Sequence, residues 1–142
     1  MSRLTREQAL GKLRAGVSAD LDTSHAILAL LARQFDAALR HRSAELTELA
    51  EQLSPSLEAM EQRRVQRVSL VRALCGTRAD MATLIASLDP AQGEALRADW
   101  QALEQLVLEC KRLNVRNSAL LTEQFSIMQR VLHGEETLYE AR

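Results

Sequence analysis

The sequence predicts an all-α fold: an elongated antiparallel helical hairpin or bundle with two long arms, a short connecting helix and a long C-terminal helix. Three observations carry this. The 142 residues are rich in alanine, leucine, arginine, glutamate and glutamine and poor in β-branched types, with Pro55 and Pro90 as the two prolines. Apolar residues recur in steps of three and four along most of the chain. The clearest helix start, Asp89 with Pro90, and the clearest stop, Gly134, enclose about 44 residues, roughly 66 Å at 1.5 Å per residue, too long for a compact globule. No strand is expected, and the chain reads as one domain.

The first helical region covers about residues 5–41. Thr5 and Gln8 form a capping-box pair, with Leu4 placed to staple onto the apolar residues that follow. Gly11 and Gly16 weaken this stretch, and Ser18 or Asp20 offers a fresh start for the run Ile27, Leu28, Leu31, Phe35, Ala38, Leu39, so one helix and two both fit. The second arm, 43–75, carries Leu46, Leu49, Leu53, Leu57, Met60, Val68, Val71 and Leu74, with Arg64 at one inward slot. Pro55 either kinks this arm or restarts it, and Gly76 closes it. Thr77 and Asp80 then cap a short helix over about 78–88. The long helix follows over 90–133, with 134–142 as a tail. Its apolar residues, from Leu96 and Trp100 to Val131 and Leu132, span roughly 180°, where about 100° docks one face. The surplus lies towards the end of the chain and marks a binding surface or an oligomer contact.

Composition excludes several functions. Net charge is −1, so no overall field attracts nucleic acid or anionic lipid. The one basic knot, Arg63, Arg64 and Arg67, has no interleaved aromatics and reads as a solvated helix face. There is no basic-then-apolar leader and no apolar run near 18 residues, so a cytoplasmic protein without membrane insertion is expected. Cys75 and Cys110 are too few for a disulfide scaffold or a zinc site and fall at apolar helical positions. His25, His41 and His133 have no metal-ligand spacing, and neither a nucleophile turn nor a phosphate-holding loop is present, so no enzyme, cofactor or metal is expected. A histidine phosphotransfer bundle would want a lysine and a glycine soon after His25, where Ala26, Ile27 and Leu28 stand.

The most informative stretch is Cys110, Leu113, Asn114, Asn117, Leu120 and Leu121. Helical spacing places both asparagines on the face that carries Leu96, Trp100, Leu103, Val107, Leu121 and Met128. An unpaired amide there costs about 1 to 3 kcal/mol, so it needs a partner on a neighbouring helix or a bound segment. A polar layer fixing the register of a coiled-coil core is one reading of the pair.

This stretch resembles the Cys-x-x-Leu-Asn-x-x-Asn-Gly-x-Leu signature of the FlgN-type flagellar export chaperones, with Ser118 in place of the glycine. The likeness extends upstream to Leu30, Leu31 and Leu39, with Gln34 where the family has glutamate, and to Leu74 and Gly76. Downstream it takes in Leu132, Gly134 and Tyr139. The resemblance implies a cytoplasmic, elongated helical chaperone of type III export. Such a protein binds the C-terminal helical segments of hook-associated proteins, keeps them unassembled and hands them to the export gate. It implies that Leu113, Asn114, Asn117, Leu120 and Leu121 lie in the client-binding helix, with a gate contact at Tyr139, and the motif's Cys110 and the apolar residues Phe125 and Met128 of the same helix are expected to join the client site. A structural coiled-coil adaptor that spends the same leucines on a homodimer seam is the competing expectation.

Overall fold

The computed structural model describes the backbone of residues 4–140 and the side chains of residues 4–134. Its four helices are α1 (Arg6–Leu39), α2 (Ser43–Cys75), α3 (Met81–Ser87) and α4 (Pro90–Glu140), and no strand occurs among the described residues.

The capping box forms as expected: the Thr5 hydroxyl accepts from the Gln8 amide at 3.1 Å, and the Gln8 side chain accepts from the Thr5 amide at 3.0 Å. α1 is a single helix, passing both glycines and Asp20 without a break. Asp20 starts nothing. It is fully buried and accepts from the guanidinium groups of Arg63 and Arg67 on α2. α1 ends in a Schellman turn, in which the Arg42 amide donates to the Ala37 carbonyl and the His41 amide to that of Ala38. His41 supplies the left-handed residue, at φ 55°, a place usually taken by glycine.

α2 runs antiparallel to α1 and continues through Pro55, so the arm is not restarted there. Pro55 is exposed, and the lost helix bond falls on the solvated side. Two expectations for this arm are corrected. Arg64 is not buried in its slot; it stands exposed at the edge of α2, paired with Glu61 at 2.7 Å. The basic knot is therefore not one solvated face, because Arg63 and Arg67 turn inward to satisfy Asp20 while Arg64 alone points out. Gly76, at φ 109°, closes α2 in a conformation that disfavours any side chain.

Asp80 caps α3 through the Thr83 amide at 2.8 Å, and Asp89 caps α4 through the Gln92 amide at 3.0 Å. Gly93 permits the close α3–α4 approach, since a Cβ there would sit 3.2 Å from the Ile85 carbonyl oxygen. The expected stop at Gly134 does not occur. The helix runs through it to Glu140, which brings most of the expected tail into α4. A helical glycine costs about 1 kcal/mol relative to alanine, a weakness that does not stop a helix, and Gly134 does not adopt the positive φ that a C-terminal cap requires.

α4 lies parallel to α1 at a constant offset of 86 residues: Cys110 meets Ser24, Asn117 meets Leu31 and Gln124 meets Ala38. α2 and α4 each pack along α1, while their backbones stay apart from one another. The main core gathers where α3 closes the bundle, around Leu13, Val17, Val71, Leu84, Leu96 and Leu103. A smaller cluster of Ile27, Leu31, Leu53 and Leu113 sits nearer the α1–α2 turn.

Candidate functional site

Because the backbones of α2 and α4 stay apart while both pack on α1, a trough runs between them. Its floor is Ser24, Ile27 and Leu31 of α1, with Leu57, Met60 and Arg64 on one wall and Val107, Cys110 and Asn114 on the other. Its volume is about 360 Å³ and its lining is mainly apolar. Arg67 closes one end, its guanidinium 5.1 Å from the centre of the Trp100 ring.

The two asparagines have different fates. Asn117 is 1% exposed, and its amide nitrogen donates to the Leu31 carbonyl at 2.7 Å and to the Gln34 side-chain oxygen at 2.9 Å. Its oxygen accepts from Arg116, whose guanidinium stacks 3.8 Å from the centre of the Phe35 ring. Asn117 is thus the polar layer that fixes α4 against α1. Asn114, one turn earlier, is exposed on the wall of the trough. Replacing Asn117 by alanine is expected to cost about 2 kcal/mol of stability, because Gln34 and Arg116 lose a buried partner, whereas Asn114→Ala costs next to nothing. Thermal unfolding of the two variants side by side checks this.

The remaining expected site residues divide along the helix. Leu113 is buried in the small cluster. Cys110 is half-buried, its thiol 3.7 Å from the Ser24 carbonyl, and burial together with the neighbouring Glu109 carboxylate raises its pKa. Both cysteines are free thiols. Leu120 and Leu121 are half-buried where α1 ends. Gln124 makes the last described hydrogen bond to α1, donating to the Ala38 carbonyl at 2.9 Å. Beyond it α4 outlasts its support by about 16 residues, roughly 24 Å. Phe125 and Met128 are 62% and 58% exposed there, and Ile127, Val131 and Leu132 are exposed beside them. Leu121, Phe125, Met128 and Leu132 fall at the spacing of the face that α1 covers lower down, so this is a docked face whose partner has run out. The side chain of Tyr139 lies outside the described residues; its backbone belongs to the last turn of α4.

Among the described residues there is no group of side chains fit to hold a metal ion, and no helix is long and apolar enough to cross a membrane. The geometry offers one extended apolar surface, on the far end of α4, and a smaller apolar trough. A family model described as FlgN protein matches residues 9–134. The chain belongs to the FlgN family. These are flagellar export chaperones for hook-associated proteins, and the family is not enzymatic. Among curated proteins and among solved structures, none matches the chain. The FlgN match spans the asparagine stretch, both walls of the trough and the exposed part of α4 up to Gly134.

Sequence reasoning missed the trough wall on α2, above all Leu57, and Lys111, which lines the trough within the motif itself. It had grouped Leu57 with the core, because periodicity shows which residues share a face and not whether another helix reaches them.

Proposed function

We propose that this FlgN-family chain is a cytoplasmic chaperone that holds the C-terminal helical segments of hook-associated proteins on the uncovered face of α4. It keeps them unassembled and delivers them to the type III export gate, with Tyr139 as the gate contact. The observation that carries the client site is the continuation of the α1-docking face past Gln124, where Phe125, Ile127, Met128, Val131 and Leu132 stand exposed. An amphipathic client helix with anchors at i, i+3 or i+4, and i+7 fits such a face, taking the place α1 would occupy if it were longer. Leu120 and Leu121 form the lower edge of that surface, and Asn117 stiffens the helix beneath it.

The test is light scattering of the full chain with and without C-terminal fragments of the hook-associated proteins from the same cell. A defined complex of changed stoichiometry is the expected result. A committed homodimer that ignores every fragment would replace this reading with that of a structural adaptor.

A further inference from the structure

The apolar residues at the far end of α4 do not all lie on one line. With Asn117 as the midline of the stripe that docks on α1, Val107, Asn114, Phe125 and Leu132 fall about 60 to 80° to the trough side, and Leu120, Ile127 and Val131 about 40 to 80° to the other. Ile127 and Val131 are 46% and 58% exposed. Leu120, Gln124, Ile127 and Val131 follow one another in steps of four, three and four, the spacing of a coiled-coil seam. A client helix laid where a longer α1 would lie rests on Phe125, Met128 and Leu132, so the seam is a second edge of the same helix.

Charge identifies what meets this edge. Glu123 and Arg130 flank the seam on one side, seven residues apart, and the other flank holds Leu121 and Met128. Both charged residues are exposed and have no ion pair among the described residues. Seven residues is too far for them to pair with each other along one helix. When two such seams meet antiparallel, like flanks face each other, so Glu123 of each copy stands opposite the partner's Arg130. A parallel pair would set this flank against Leu121 and Met128 and leave both charges unmatched. The antiparallel twofold axis, passing between residues 125 and 126, also sets Leu120 against the partner's Val131 and Gln124 against the partner's Ile127. The seam is complementary to itself in charge and in apolar spacing at once.

We propose that two copies of the chain pair antiparallel through the edge of α4 that carries Leu120, Gln124, Ile127 and Val131, locked in orientation by Glu123 of each copy against the partner's Arg130. The seam is roughly 16 Å long, whereas a stable dimer buries about 800 Å² on each copy, so this dimer dissociates on dilution. The pairing does not rest on the chaperone reading, since Phe125 and Leu132 on the trough side of the helix stay outside the seam.

Sedimentation equilibrium of the full chain at low salt tests it, with helicity followed by circular dichroism. The native chain is expected to pass from monomer to dimer as its concentration rises, and to pair more weakly as salt is added. Glu123→Arg and Arg130→Glu each set like charges opposite one another and should each weaken pairing at least tenfold, with folding kept because both positions are exposed. An equimolar mixture of the two variants should regain the native affinity, since in the mixed dimer every arginine at these positions faces a glutamate. A chain monomeric up to about 1 mM, variants that pair as tightly as the native chain, or a mixture no tighter than either variant alone overturns the proposal. Adding a hook-associated C-terminal fragment to the same runs keeps the two readings apart. A chain that binds the fragment and never pairs loses this inference alone, and one that pairs as described while ignoring every fragment loses only the chaperone reading.

Discussion

Replacing Asp20 by alanine is expected to lower stability by about 3 kcal/mol, the largest loss for a single substitution outside the apolar core. The carboxylate is wholly buried and accepts from Arg63 and Arg67, while Arg63 also donates to the Thr23 hydroxyl at 2.7 Å. Removing one member of a buried ion cluster typically costs about 3 to 5 kcal/mol, because the remaining charges stay desolvated without a partner. The low end applies here, since the arginine side chains are 23% and 14% exposed and water can screen part of the loss. In a domain of this size about 3 kcal/mol corresponds to a fall in Tm of about 10 °C. Calorimetry of Asp20→Ala beside Asp20→Leu/Arg63→Leu/Arg67→Met checks the cause. If charge desolvation dominates, the triple variant regains most of the loss; equal Tm values for wild type and Asp20→Ala would show that α1 and α2 do not depend on the cluster.

Asp20 also shows where sequence reading stops. A mid-helix aspartate after two glycines has the local chemistry of a cap, and its partners lie 43 and 47 residues away, so nothing nearby marks it as buried. The caps at Thr5, Asp80 and Asp89 were legible because both partners lie within four residues. The exposed end of α4 was legible because its apolar residues run on to Leu132, where few elements of the sequence remain to cover them, although the exposure comes from α1 ending beneath that face and not from the width of the arc. Which asparagine turns inward was not. Asn114 and Asn117 are 60° apart on the helical wheel, and the choice depends on where α1 lies, which the 86-residue offset decides. The trough was hidden for a similar reason: it exists because the backbones of α2 and α4 stay apart, and a one-dimensional pattern records no distances between helices.

The second large effect is expected in binding and not in folding. In the double variant Phe125→Asp/Met128→Asp both substitutions fall beyond Gln124, on side chains already more than half exposed, so the free chain buries nothing new. Its Tm should stay within about 2 °C of wild type, since surface substitutions usually change stability by about 0.5 kcal/mol or less. In a client complex on this face, each change removes an apolar anchor and places a carboxylate against an apolar helix. Such losses run at about 2 kcal/mol or more per anchor, so the pair should weaken binding of a hook-associated C-terminal fragment roughly a thousandfold. Aspartates at Leu120 and Leu121 would be a poorer test, because these leucines are half-buried where α1 ends and their loss would mix unfolding with weaker binding. Anisotropy titration of the double variant, with helicity followed in the same samples, separates the two effects. Undiminished affinity would mean that the client avoids the uncovered face of α4. A thousandfold loss with helicity intact would place the grip on the stretch of helix that α1 is too short to cover.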